Sequence, residues 1–136
     1  IKEFRNNIKI KPETKFGLNT RFDFFIRDKN YKAFIEVKNV TLSRKKGVAE
    51  FPDAITSRGL KHINELINAS KKGYKIFILY LIQRDDCKSF KIAKDIDIKY
   101  SDSLTKAVKK KLNILCYDCK FSPKGIKLNR KVKIKI

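Results

Sequence analysis

Apolar and polar residues first alternate, then recur every three to four positions, then run together, and these changes of period divide the chain into elements. Lys9–Phe16 reads as a first strand, made irregular by Pro12, and Gly17–Asn19 turns the chain into a second run, Thr20–Arg27. Asp28–Asn30 turns it again into Tyr31–Thr41, and Arg44–Gly47 reads as a basic loop. After Phe51-Pro52-Asp53 the period becomes helical. Ile55, Ile63, Leu66 and Ile67 form a stripe with the small Gly59, Pro52 fits the first helical turn, and Gly73 fits the terminator. Tyr74–Ile82 (YKIFILYLI) is almost continuously apolar, as a central strand covered on both faces requires. A second amphipathic helix is expected over Ser101–Leu112, with Leu104, Val108 and Leu112 inward and Lys106, Lys109 and Lys110 outward. Ile114–Tyr117 reads as another strand and Lys131–Ile136 (KVKIKI) as a half-exposed one. Strands, helix, core strand, helix and strand in that order imply one α/β domain around a mixed β-sheet flanked by helices.

Composition narrows the class. Ten Phe and 42% hydrophobic residues give material for a core. No apolar run approaches the 18–20 residues that span a bilayer, and the start has no signal segment, so no membrane contact is expected. Three cysteines, an odd number, favour a reducing cytoplasmic setting. The chain lacks Met and begins at Ile1, so Ile1–Lys11 reads as the tail of something larger or a trimmed piece. Of 34 basic residues 27 are Lys, and 18 Ile and nine Asn accompany them, which AT-biased coding produces in any protein. The 14 carboxylates still leave +20 uncompensated, beyond the magnitude of about 2–8 usual for a small domain, so a nucleic acid is the first candidate partner.

Three polar residues fall where core is expected: Asp23 in Arg21–Phe25, and Glu36 and Lys38 in Ile35–Lys38. Glu36 and Lys38 share a strand face with Cα atoms about 6.6 Å apart. A two-residue Lys29–Asn30 loop makes paired residues sum to 59, which sets Asp23 opposite Glu36, Arg21 opposite Lys38 and Phe25 opposite Phe34. The other face then collects Phe22, Phe24 and Ile26 against Val37, Ile35 and Ala33. Two carboxylates facing each other across a sheet repel, and a divalent cation such as Mg²⁺ or Mn²⁺ relieves this. Lys38 then serves to steady a scissile phosphate, to polarise an attacking water or to stabilise charge on the phosphorane, the inventory of metal-assisted phosphodiester hydrolysis. An ordinary salt-linked pair on an exposed sheet face accounts for the same residue types.

On the first helix Arg58, His62 and Glu65, with Lys61 beside them, are placed opposite the apolar stripe, and Thr56 and Arg58 lie in the first turns, where a phosphate is favoured. With Arg21, Lys106, Lys109 and Lys110 these are the candidate nucleic-acid contacts. Asp53 is placed to cap the helix or close the Pro52–Asp53 turn. Cys116-Tyr117-Asp118-Cys119 lacks a second pair for zinc and the following helix of a redox motif.

The strings Arg21-Phe22-Asp23-Phe24, Ile35-Glu36-Val37-Lys38-Asn39-Val40-Thr41-Leu42 and Phe51-Pro52-Asp53-Ala54-Ile55-Thr56-Ser57-Arg58-Gly59-Leu60-Lys61-His62 closely resemble the sugar fermentation stimulation protein family (SfsA). Gln83-Arg84 and Gly125-Ile126 fit too, and the resemblance runs from Thr14 onward. It implies DNA binding without sequence preference, a role in regulating sugar (maltose) metabolism, and an OB-like domain followed by a restriction-endonuclease-like domain. This chain resembles the second domain only. In the wider PD-(D/E)xK nuclease superfamily the Asp and Glu-x-Lys signature corresponds to Asp23, Glu36 and Lys38. The acidic first helix of those nucleases is expected before Ile1, with Glu3 a poor substitute. The competing expectations are a DNA-binding module with an inactive nuclease-like site and a nuclease acting on RNA or a modified nucleotide substrate.

Overall fold

A computed structural model describes residues 9–17 and 20–135; the opening stretch with Glu3, the tip of the Gly17–Asn19 turn and the final Ile136 lie outside the described residues. In chain order the elements are β1 (Lys9–Phe16), β2 (Thr20–Arg27), β3 (Lys32–Val40), β4 (Leu42–Lys45), β5 (Val48–Phe51), α1 (Ser57–Lys71), β6 (Lys75–Ile82), β7 (Ser89–Ile92), α2 (Ile98–Lys109), β8 (Asn113–Ser122), β9 (Gly125–Lys131) and β10 (Lys133–Lys135). They form a six-stranded sheet in the order β1-β2-β3-β6-β8-β9 and a four-stranded sheet in the order β10-β7-β5-β4.

β6 runs parallel to both β3 and β8, and each parallel step is bridged by a segment containing a helix, as parallel pairing demands. Its apolar residues divide between two clusters. Ile76, Ile78, Tyr80 and Ile82 join Ile63, Leu66 and Ala69 of α1, Leu104 and Ala107 of α2, and Ala49, Phe90 and Ile92 of the second sheet. Phe77 and Leu79 face the other way with Ile26, Ala33, Ile35, Leu115 and Tyr117. Both helices therefore pack on one face of the large sheet, and the small sheet closes the same core.

Asp97 fixes how the helices enter. It caps α2 by accepting from the Tyr100 amide (3.1 Å), and its other oxygen accepts from the Thr56 amide (2.9 Å) at the head of α1. Gly59 lets the helices close: a Cβ there would lie 2.8 Å from Thr56 Cγ2 and 3.1 Å from Tyr100. Asp97→Ala strands two amides at once and is expected to lower stability by about 2 kcal/mol in urea denaturation.

The structure corrects several expectations. α1 begins at Ser57 with Thr56 as its cap, so neither Pro52 (joined to Phe51 by a cis bond) nor Asp53 belongs to its first turn, and Ile55 is 80% exposed rather than part of the stripe. α2 starts at Ile98 because Asp97 caps it there, so Leu112 follows its end and Val108 is 41% exposed. Arg44–Gly47 is half strand and half turn: Arg44 belongs to β4, and its bonds to Glu50 hold the β4–β5 hairpin. The β8 strand is longer than expected and pairs with β9, while the closing strand shortens to Lys133–Lys135. Among the described residues no helix is long and apolar enough to cross a membrane.

Candidate active site

The β2–β3 ladder keeps the expected register, with Phe24 opposite Ile35, Phe25 opposite Phe34 and Ile26 opposite Ala33. Regular pairing stops at Phe24. One residue further, the Asp23 carboxylate takes the place of a rung: its Oδ2 accepts from the Val37 amide at 2.7 Å. Glu13, whose neighbours pair either side of Asp23, has a φ of 45°, and alternation along β2 breaks here. Phe22 consequently packs with Phe16 and Phe34 on the helix side and Phe24 is 37% exposed, so the wholly apolar face expected from Phe22, Phe24 and Ile26 does not form.

Phe34, Glu36, Lys38 and Val40 are alternate residues on β3, and the first and last lie in the helix-side cluster. Glu36 and Lys38 therefore point toward α1, where His62 meets them. His62 is only 7% exposed; it sits on the buried stripe Gly59–His62–Ile63–Leu66, three residues after the helix's close-approach glycine. The expectation that His62 shares the polar face with Arg58 is thus corrected. That expectation takes its phase from Ile55, which lies outside the helix. The spacing of Gly59, His62 and Ile63 at i, i+3 and i+4 is the sequence signal that carries the observed placement.

The polar atoms form a tight triangle. His62 Nδ1 is 3.0 Å from Glu36 Oε1 and 2.9 Å from Lys38 Nζ, and Lys38 Nζ is 3.4 Å from the same Glu36 oxygen. One proton arrangement has a charged Lys38 donating to the Nδ1 lone pair; the other has Nδ1–H donating to Glu36. Glu36 Oε2 is buried and has no hydrogen-bond partner among the described residues. Burial alone would push the Glu36 carboxyl up, but hydrogen bonds and charge from His62 and Lys38 hold it below its ordinary value. Burial, with the Glu36 charge adding to it, pushes Asp23 up against the opposing Val37 amide. Burial also lowers Lys38, against the pull of Glu36, and the Arg58 guanidinium adds to the lowering. Beneath the triangle, Tyr80 and Tyr100 share a buried hydroxyl–hydroxyl contact of 2.5 Å.

The candidate nucleic-acid residues separate into two places. Arg58 and Lys61 are exposed on the first turns of α1 beside His62, and Arg21 is exposed on β2 next to Phe22. Lys106, Lys109 and Lys110 are exposed at the far end of α2. The helices run side by side in the same direction, joined by Asp97 at their heads and by Ser70 and the Lys110 carbonyl at their tails (3.1 Å). Ser70 lies eight residues beyond His62 on α1, about 12 Å along the axis, so Lys109 and Lys110 stand toward the opposite end of the helix pair from Arg58. Cys87, Cys116 and Cys119 are buried free thiols, and burial pushes Cys116 up to about 12, opposite to what a reactive thiol needs.

Among the described residues no group of three or more His, Cys, Asp or Glu is placed to hold a metal ion. Among the described residues the acidic groups at this site are the two carboxylates of Asp23 and Glu36.

Comparison with known proteins matches residues 1–125 to the family model described as "Sugar fermentation stimulation protein RE domain". A sugar fermentation stimulation protein homolog of Pelagibacter ubique is 50% identical over 134 residues, covering 98% of this chain and 58% of that protein. One from Roseobacter denitrificans is 41% identical over 128 residues, covering 93% and 54% respectively. A solved structure, Pyrococcus furiosus SfsA in complex with Ca²⁺, superposes with a TM-score of 0.87 at 26% identity, covering 96% of this chain and 57% of that one. The chain thus spans little more than half the length of the relatives it matches. With the family model covering all but the last residues, and half of all positions identical to a curated homolog, the chain belongs to the sugar fermentation stimulation protein family.

Proposed function

We propose that this chain is a DNA-associated domain that hydrolyses phosphodiester bonds with a divalent cation held by Asp23 and Glu36, and that its two-helix, mixed-sheet fold is the restriction-endonuclease-like one that "RE" in the family description abbreviates. The observation that carries the reading is Glu36 Oε2, a buried carboxylate oxygen with no hydrogen-bond partner by geometry among the described residues, set against a second, reluctantly ionised carboxylate, Asp23. A buried charged oxygen without a partner costs several kcal/mol, and a hard cation supplies what it lacks. Two carboxylates match Mg²⁺ or Mn²⁺, which keep several waters and complete their shell with substrate phosphate. The Ca²⁺ complex of the Pyrococcus relative supports a cation in this family.

A cation held by Asp23 and Glu36 would supply a Lewis acid and make an attacking water more acidic. The chain's own residues do the rest. Asp23 is steadied by the Val37 amide, which leaves its second oxygen for the cation. Lys38 presents a cation toward the phosphate, and the His62 ring holds its Nζ from the helix side. Arg58 and Lys61 in the first turns of α1 bring a phosphate to the same edge.

A second reading has one observation in its favour. Lys38 and His62 already satisfy Glu36 Oε1, so the trio also reads as a closed salt link in a DNA-binding regulatory module with no catalysis. The link to sugar metabolism rests on the family's name alone. Calorimetric titration of Mn²⁺ or Mg²⁺, followed by plasmid cleavage, separates the readings: we expect about one ion per chain and cation-dependent nicking, both absent in Asp23→Asn. No uptake and no nicking by the unaltered chain would sink the hydrolytic reading.

A further inference from the structure

A second basic surface lies on the small sheet, away from the triangle. Pairing places Lys133, Ser89, Val48 and Lys45 in one row across its four strands, and Lys135, Lys91, Glu50 and Leu42 in the next. The residues between them, Ile134, Phe90 and Ala49, pack into the helix-side core, so these rows form the outer face. Lys45, Lys91, Lys133 and Lys135 are exposed. The one carboxylate in the rows, Glu50, is buried and is taken by Arg44 through Nε (2.9 Å) and Nη2 (2.7 Å). Arg44 also binds both oxygens of Asp95, at 2.6 and 2.8 Å. Both carboxylates that border the face are therefore engaged by one arginine, with the Lys91 charge adding to its hold on them. Among the described residues no ion pair engages Lys45, Lys133 or Lys135.

Lys135 and Lys91, paired on adjacent strands, stand about 4.8 Å apart and repel. The chain concentrates this charge: seven basic residues and no acidic one follow Asp118, and the fold delivers Lys133 and Lys135 from that segment to Lys91 on the neighbouring strand. An open cavity of about 700 Å³, bordered by Arg44, Lys45, Lys91, Lys94 and Asp95 with Glu50, runs along the same face.

We propose that this outer face grips the phosphate backbone of duplex DNA, independently of the acidic site. The occupant follows from the chemistry. Lysine ammoniums are point charges that neutralise phosphates without reading bases. The two rows carry no aromatic side chain, so the stacking platform that holds single strands is missing. The inference rests on the DNA-associated reading and adds where the duplex is held. A grip on this face keeps substrate bound whether or not a cation occupies the acidic site.

The test compares two variants for binding a short blunt DNA duplex, by fluorescence anisotropy over a range of KCl. One carries Lys45→Gln, Lys91→Gln, Lys133→Gln and Lys135→Gln; the other carries Lys106→Gln, Lys109→Gln and Lys110→Gln. All seven residues are exposed, and circular dichroism checks the fold. We expect the outer-face variant to lose roughly tenfold or more in affinity and about 3 units of log–log salt slope, with Mn²⁺ uptake unchanged. Wild-type duplex affinity in that variant, with the loss confined to the α2 variant, overturns the assignment while leaving the DNA reading intact. Loss of binding to phosphatidylserine vesicles but not to duplex overturns it in favour of a membrane surface. Failure of the unaltered chain to bind duplex at any salt overturns both readings together.

Discussion

A Glu36→Ala chain is expected to lose both cation-dependent phosphodiester cleavage and a substantial part of its stability. The chemical loss follows from Oε2, which has no hydrogen-bond partner among the described residues: on the proposed reading, removing the carboxylate removes one of the two acidic groups that would hold the cation. Loss of about 4 kcal/mol of metal-mediated charge stabilisation amounts to roughly a thousandfold in rate. The structural loss follows from Oε1, which meets both Lys38 and His62 in a site where Glu36 is 4% exposed. Taking one partner from a buried pair costs about 3 kcal/mol, even with a lysine whose proton is already loosened by burial. The pH sign distinguishes this from a simple cavity. The folded chain holds the Glu36 carboxyl below its unfolded value, so the unfolded state binds more protons as pH falls. The stability Glu36 contributes is full above the unfolded carboxylate value near 4.5 and is lost as pH drops through the lower, folded one. Urea midpoints of wild type and Glu36→Ala should therefore differ most at neutral pH and converge in acid. A constant difference across that window would argue for lost packing alone.

The expected opposition of Asp23 to Glu36 and of Arg21 to Lys38 is not part of the β2–β3 ladder. The register that does form, Phe24–Arg27 against Lys32–Ile35, is legible in the sequence because a one-residue slip would bury charged side chains among Phe and Ile. That is why Asp23, Glu36 and Lys38 can be named from the sequence. The central strand is legible for a similar reason, since YKIFILYLI has no polar face to expose. Helix phase is less secure. A single apolar residue, Ile55, outside the true first turn rotates the inferred stripe and puts His62 on the wrong side, so the third corner of the triangle is missed. The capping aspartate of α2 also lies upstream of the amphipathic pattern it starts. The β4–β5 hairpin is written in LSRK and VAEF, too short and too polar for alternation to register. What holds it is an arginine reaching both Glu50 and Asp95, a tertiary fact. The same sheet carries the lysine rows, and only its inter-strand register places Lys91 beside Lys135, 44 positions away in sequence.

Asp23→Asn should abolish the same chemistry as Glu36→Ala while shifting stability the opposite way. Asparagine keeps an oxygen for the Val37 amide, so the bond that seats residue 23 survives. What disappears is a charge that the fold disfavours. Burial and the neighbouring Glu36 push the Asp23 carboxyl up, so the folded chain holds this proton more tightly than the unfolded one. The linkage then runs opposite to that of Glu36. Asp23 penalises stability progressively as pH climbs from its unfolded value near 3.8 through its raised folded value, and the full penalty remains at neutral pH. In EDTA at pH 7 the variant should therefore melt at a higher temperature than wild type. The two should coincide in acid, where Asp23 is protonated in both states. Saturating Mn²⁺ should reverse the order. An ion present at a hundredfold its dissociation constant adds about 2.7 kcal/mol to a chain that binds it and nothing to one that does not. Paired melting curves with EDTA and with Mn²⁺ thus read the two halves of the argument separately. A variant less stable than wild type in EDTA would remove the electrostatic strain at this site, and curves that ignore Mn²⁺ in both chains would remove the cation.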